Sequence, residues 1–163
     1  MPIRQVKPED LAACHALETA CFPPQEAAPI ENIRRRIEGF PEGFLVLEHN
    51  GKLIGMVNSG ATNNDDMSDQ DLKPLISHNP AGTNIVIFSL AVLPAYQQQG
   101  FAAQLLQAFI ERSRQLGKRR IVLICKAALI PYYARFGFVE QGLSSATHGG
   151  AQWHEMHLNL FTA

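Results

Sequence analysis

Cysteine is scarce in this chain of 163 residues: Cys14, Cys21 and Cys125 are three in number and unevenly spaced. An odd, scattered set argues against a secreted disulfide framework and fits a reducing compartment. An excess of one charge is missing too. Fourteen Lys+Arg stand against fifteen Asp+Glu, a net charge of −1, and without a basic surplus neither nucleic acid nor an anionic membrane is expected as the main partner. Long hydrophobic runs are absent. The longest, from Ile85 to Pro94 and interrupted by Ser89, is about half of the ~20 residues a membrane-spanning helix needs. Met1-Pro2-Ile3-Arg4 opens no apolar segment, so no signal peptide is expected. No repeat, low-complexity tract or interdomain linker is visible. These absences lead to the expectation of a cytoplasmic protein, a monomer or homodimer.

What is present is a globular composition, 46% hydrophobic and 18% charged. Its length suits one compact domain spanning residues 1–163, and such a chain buries roughly 70% of its unfolded surface without disulfides or a structural metal. Pro8-Glu9-Asp10 is a good helix start, and Leu11, Cys14, Leu17 and Cys21 then recur at helical spacing until Pro23-Pro24. A second helix fits Ile30 to Ile37, with Ile30, Ile33 and Ile37 on one stripe, Arg34, Arg35 and Arg36 mostly off it, and Gly39 as its stop. Residues 44–47 and 53–57 flank Asn50-Gly51, a dipeptide suited to a type I′ hairpin turn. Residues 62–83 are polar and read as a long loop with one short helix near 69–75.

Residues 84–93 are apolar apart from Asn84 and Ser89, the pattern of a strand buried on both faces. A strong helix follows, with Ala102, Leu105, Leu106, Phe109 and Ile110 on one face and Gly117 after it. Residues 121–125 read as another buried strand, 127–135 as a short helix, and strands are expected near Val139 and over 152–160. The strand–helix–strand unit over 84–125 requires a right-handed parallel crossover. The fold class is therefore mixed α/β, mostly antiparallel.

The most informative segment is Gln97-Gln98-Gln99-Gly100-Phe101-Ala102, between a buried strand and a helix N-terminus. Successive backbone N–H groups and the helix dipole there suit an anion, and Gly100 permits close approach. An ordinary strand–helix turn reads the same way from pattern alone. It is neither a Walker A loop, since no Gly-Lys-Ser/Thr follows, nor a dinucleotide fingerprint, since it holds one glycine.

Gln97-x-x-Gly100-x-Ala102 resembles the Arg/Gln-x-x-Gly-x-Gly/Ala loop of the GCN5-related N-acetyltransferases, the GNAT superfamily. Residues 90–100 (Leu-Ala-Val-x-Pro-x-Tyr-Gln-Gln-Gln-Gly), 131–138 (Pro-Tyr-Tyr-Ala-Arg-Phe-Gly-Phe) and Glu155-Met156-His157 resemble its arylalkylamine (serotonin) N-acetyltransferase branch. The resemblance implies a sheet whose central parallel pair is splayed, with flanking helices and acetyl-CoA inserted in the V. It implies that backbone groups around Leu90, Ala91 and Val92 pair with the pantetheine arm and thioester carbonyl. The loop Gln97, Gln98, Gln99, Gly100, Phe101, Ala102 and Ala103 would hold the pyrophosphate, and Tyr133 would lie near the thioester sulfur as general acid. The implied activity is transfer of an acetyl group to a primary amine, arylalkylamine- or polyamine-like, by direct attack in a ternary complex. Alternatives are a protein N-terminal or lysine acetyltransferase and a non-catalytic acyl-CoA-binding sensor.

One departure matters. The animal enzymes of that branch carry two histidines where this chain has Val86 and Phe88, so the amine's proton needs another acceptor. Glu26, after Phe22-Pro23-Pro24-Gln25, lies in the segment where insect relatives of the branch carry a glutamate implicated in proton removal, and it is the candidate base. A surface acid at a helix start reads alike. The slot for the amine is expected to be lined by residues 21–30, 59–63 and 147–154, with Phe22, Phe88 and Trp153 suiting an aromatic amine. Other features carry no role. His154-Glu155-Met156-His157 lacks metal-site spacing, Cys125 reads as a core residue, and Asp65, Asp66, Asp69 and Asp71 read as a solvated loop. His148 and Lys126 are left without assignment.

Overall fold

The computed structural model describes residues 3–64, 71–144 and 148–161. Seven strands form one sheet in the order β1-β2-β3-β4-β5-β7-β6. In chain order these are β1 (Ile3–Gln5), β2 (Leu45–His49), β3 (Lys52–Thr62), β4 (Asn84–Val92), β5 (Arg120–Cys125), β6 (Val139–Leu143) and β7 (His154–Asn159). Every neighbouring pair is antiparallel except β4–β5. The helices are α1 (Leu11–Cys21), α2 (Ile30–Gly39), α3 (Phe101–Gln115) and α4 (Ile130–Ala134), with a 3₁₀ turn over Pro8–Asp10 ahead of α1.

The two-residue period of the strands divides the core. Leu45 and Leu47 of β2 face the side covered by α3, where Leu105, Leu106 and Phe109 are fully buried. Phe44 and Val46 face the other side and pack with Cys14 and Leu17 of α1 and Ile33 and Ile37 of α2. Asn50 (φ 52) and Gly51 (φ 78) are both left-handed, as the type I′ turn between β2 and β3 demands. Strand β1 has no counterpart in the expectations. Its three residues show no alternation of their own and are ordered by pairing with Leu45, Val46 and Leu47.

Two expectations need correction. Residues 71–75 form turns, and Leu75 has φ 61, which no helix accommodates. Residues 69 and 70 lie outside the described residues. Arg36 is also not a surface cation of α2; it is 2% exposed. Its guanidinium donates to Asn58 Oδ1 (3.0 Å) and to the Lys73 carbonyl (3.2 Å), and it stacks over the Phe88 ring 4.5 Å from the centroid. Three tertiary partners draw it in where helical spacing alone leaves it at the stripe's edge.

The feature that positions the site is the parallel pair. β4 and β5 are in register only at Asn84↔Arg120, Ile85↔Ile121 and Val86↔Val122. Beyond Val86, β4 continues to Val92 paired with β3 alone, and β5 continues to Cys125 paired with β7 alone. A bulge helps turn β4 away. Ser89 opposes Asn58 and Ile87 opposes Ser59, so Phe88 has no partner on β3. Gly60 leaves room for its ring, since a Cβ there would sit 2.8 Å from Phe88 Cζ.

Candidate active site

Between the diverging strands lies a cavity of about 270 Å³. Ile87, Phe88 and Leu90 of β4 form one wall, and Leu123, Ile124 and Cys125 of β5 form the other. Glu18, Cys21, Phe22, Pro23 and Glu26 contribute from the end of α1 and the loop after it. Lys73, Lys126, Leu129, Tyr133 and Trp153 complete the lining. Of the three segments expected at the slot, 21–30 and 147–154 contribute. Residues 59–63 do not: Ser59 Oγ is directed to the Gly43 carbonyl (2.8 Å). Lys73, not expected at the slot, is part of its lining.

The backbone of β4 is arranged for a ligand. The Leu93 amide donates to the Ile54 carbonyl (2.8 Å). Hydrogen-bonded pairs alternate along an antiparallel ladder, so Ala91 also faces β3, while Leu90 and Val92 turn their N–H and C=O groups into the V. The Val92 carbonyl confirms this phase, because it accepts from Cys21 Sγ (3.2 Å) and from Gln97 Nε2 (2.9 Å) rather than from β3. The Gln97 side chain therefore braces the loop to the end of β4. Ala91, 3% exposed, packs its methyl among the α1–α2 side of the core.

After Gln97 the chain enters α3 through Gln98 (φ 63) and Gly100 (φ 85), with Gly100 as N-cap. The first acceptor-bonded amide is that of Gln104, to the Gly100 carbonyl (3.1 Å). The amides of Gln98, Gln99, Gly100, Phe101, Ala102 and Ala103 find no acceptor among the described residues. A Cβ at Gly100 would meet nothing within 4 Å, so the approach to these donors is open. A row of orphan N–H groups at the positive end of a fifteen-residue helix fits a pyrophosphate.

Tyr133, on the short helix α4, lines the cavity, whereas Ala91, Val92 and residues 97–103 do not. Its ring stands edge-on to Tyr132 (5.3 Å) and Phe138 (5.8 Å). Burial pushes its phenol well above its ordinary value, and Cys125 and Tyr132 add to the effect. Such a phenol keeps its proton. Cys125 is buried, and desolvation followed by Glu140 raises its thiol to about 11, in keeping with a core role. Glu26 presents a side chain 7% exposed, its Oε2 2.9 Å from Lys126 Nζ. A Cβ on Gly149 would stand 2.7 Å from Glu26 Cγ, so the 148–150 turn runs close against Glu26. Lys126 also lies 5.6 Å from the Trp153 ring centroid. His154 pairs with Glu140 (3.1 Å) and His157 with Glu155 (2.6 Å). Asp65, Asp66, Asp69 and the His148 side chain lie outside the described residues.

Residues 11–138 match the profile of the acetyltransferase (GNAT) family. The chain belongs to that family. Among relatives of this GNAT chain, a Bacillus subtilis (strain 168) protein described as "Probable hydrolase YhcX" is 29% identical over 143 residues, covering 83% of this chain and 27% of its own length. Serotonin N-acetyltransferase of Macaca mulatta is 29% identical over 161 residues, covering 96% of this chain and 78% of that enzyme. The chain thus spans about a quarter of the first relative and most of the second. Two solved structures share the GNAT fold. The GphF GNAT-like decarboxylase in complex with isobutyryl-CoA has a TM-score of 0.83 at 20% identity, covering 99% of this chain and 100% of that one. The Salmonella typhimurium protein yncA with its cofactor acetyl-CoA has a TM-score of 0.70 at 22% identity, covering 99% and 94%.

Three charged groups of this GNAT site were not singled out by sequence. Glu18, 2% exposed, accepts from the Ala28 amide (2.9 Å) and from Ser89 Oγ (2.7 Å). Its spacing from Leu11, Cys14 and Cys21 puts an acid on the apolar stripe of α1, the signal that would have found it. Arg36, pulled down to about 10 by desolvation with Glu18 opposing, lies over the Phe88 ring. Lys73 comes from a polar loop and carried no signal.

Proposed function

We propose that the protein is an acetyl-CoA-dependent N-acetyltransferase that acetylates a primary amine on a small molecule by direct attack in a ternary complex. The observation that carries the reading is the open strand pair, with Leu90 and Val92 backbone groups turned away from β3, Tyr133 on the cavity wall, and the row of orphan amides at residues 98–103 where the helix after β4 begins. The donor's pyrophosphate sits on those amides and its thioester reaches Leu90. A backbone N–H at Leu90 stabilises negative charge developing on the thioester oxygen. Tyr133 gives its proton to the departing thiolate. An alkylammonium holds its proton with a pKa near ~10.4, so a proton acceptor is needed at neutral pH. Glu26, fixed by Lys126 within the slot, takes that role directly or through water.

Phe22, Phe88 and Trp153 line the slot and favour an arylalkylamine-like acceptor. A polyamine fits less well, because Lys73 stands in the lining and both carboxylates there are engaged, Glu26 by Lys126 and Glu18 by the Ala28 amide and Ser89. The test is CoA thiol release from acetyl-CoA with phenethylamine, tryptamine, spermidine and a peptide bearing a free N-terminus. Turnover of a small amine is expected. Acetyl-CoA binding without thiol release for any amine would make the protein a sensor, and turnover of the peptide alone would make it a protein acetyltransferase.

A further inference from the structure

Four formally charged side chains line the cavity: Glu18, Glu26, Lys73 and Lys126. Three have partners there. Each Glu18 oxygen accepts one hydrogen bond, from the Ala28 amide and from Ser89 Oγ. Glu26 and Lys126 pair with each other at 2.9 Å. Lys73 differs. Its main chain is anchored, because its carbonyl accepts from Arg36 Nε (3.2 Å), but its ammonium makes no hydrogen bond or ion pair among the described residues. A second cation stands close by: Arg36, itself outside the lining, lies over the Phe88 ring 4.5 Å from its centroid and donates to the Lys73 carbonyl. A simple alkylammonium entering this slot meets an ammonium with no hydrogen-bonded counter-ion, beside carboxylates that are already engaged. An unpaired, partly desolvated cation is costly and has to be explained; a ligand group of opposite charge removes that cost.

We propose that Lys73 is a binding residue for an anionic group on the acceptor, so that the substrate of this site is an aromatic amine that also carries a carboxylate. The inference rests on the N-acetyltransferase reading and sharpens its substrate class. Two side chains describe the complementary molecule. The aromatic wall of Phe88 and Trp153 takes a ring, and Lys73 takes the carboxylate, while the amine faces the thioester. The cavity of about 270 Å³ is at the small end of ligand pockets, which limits the acceptor to a compact molecule. Desolvation, then the positive charge of Arg36, brings the Lys73 ammonium down to about 8, against the pull of Glu18 and Glu26. The two carboxylates act on it through space, and neither is hydrogen-bonded or ion-paired to it.

The experiment compares three acceptors with the same phenylethyl frame. Phenethylamine has no carboxylate, phenylalanine carries one beside the amine, and 4-(2-aminoethyl)benzoate carries one at the far end of the ring. In the wild type, kcat/KM for at least one of the two acids should exceed that for phenethylamine by about 10-fold or more. In Lys73→Met that ratio should collapse toward one, and Lys73→Arg should keep it. A binding arm removes the dependence on turnover. Trp153 is the one tryptophan of the chain, and its fluorescence, with CoA present, reports titration by the unreactive anion 3-phenylpropionate. Lys73→Met should weaken that binding by about 10-fold or more while acetyl-CoA affinity, measured in parallel, certifies the fold. A wild type that prefers phenethylamine, or binds 3-phenylpropionate no better than the variant, overturns the proposal and leaves the acetyltransferase reading intact. Loss of turnover with all three acceptors alike in Lys73→Met, from a wild-type ratio near one, would make Lys73 a proton acceptor instead and also overturns it. Tight 3-phenylpropionate binding that depends on Lys73, with no acceptor acetylated, upholds the anion site and removes the N-acetyltransferase reading.

Discussion

Tyr133 and Lys73 are opposite cases of what one residue reveals. The tyrosine announced itself by its neighbours in sequence, and the structure puts it on the cavity wall with a phenol that retains its proton. Tyr133→Phe keeps the ring and removes only the donor. kcat should fall by roughly 10²–10⁴-fold with little change in acetyl-CoA affinity, measured under conditions where chemistry limits turnover. Glu26→Gln keeps size and removes the carboxylate; kcat/KM should drop about 100-fold. An unaltered kcat/KM would take Glu26 out of the reaction. Lys73 was illegible because its environment is tertiary: Arg36, Glu18 and Glu26 come from elements distant in sequence. It also makes a stability prediction. The folded protein releases the Lys73 proton near pH 8 and the unfolded chain near 10.5. Below pH 8 both states are charged and the folded state bears the whole penalty. Between pH 8 and 10.5 the folded state sheds the proton first, and wild-type stability recovers. Lys73→Met should therefore be more stable than wild type at pH 7 by about 1–3 kcal/mol. Denaturant unfolding should show that advantage shrinking as pH rises toward 10.5.

At the scale of elements, sequence was most informative where local chemistry decides. The hairpin at Asn50-Gly51, the stripe of α3 and the stop of β4 at Pro94 are settled within a few residues, and the structure bears them out. β1 was invisible because three residues carry no period, and the turns at 71–75 replace an expected helix because Leu72 is drawn into a small cluster with Val86 and Val122. The Phe88 bulge was equally hidden, since bulges follow from pairing and not from composition. The start of α3 offers a prediction at this scale. Gly100 has φ 85 and open space where a Cβ would stand, so a side chain there costs backbone strain and obstructs the donors rather than the core. Gly100→Val should weaken acetyl-CoA binding by about 10-fold or more, equivalent to ~1.4 kcal/mol. Calorimetry that finds unchanged affinity in a folded variant would detach the loop from the cofactor.

The whole molecule is a sheet interrupted from within. Ordinarily an interior strand is satisfied on both sides, yet β4 beyond Val86 and β5 beyond Val122 each lack a neighbour on the side where they face one another. Admitting an extended ligand arm thus breaks no ladder already formed. Such an arm would take the part of a strand. Amide hydrogen exchange would make this alternation visible along a single strand. Ala91 and Leu93, bonded to β3, should be protected in the free protein, whereas Leu90 and Val92 should exchange quickly. Acetyl-CoA should slow Leu90 and Val92 and leave Ala91 and Leu93 as they were. Four residues with equal protection before ligand is added would mean that the gap between β4 and β5 closes in solution, and that opening it is itself part of binding.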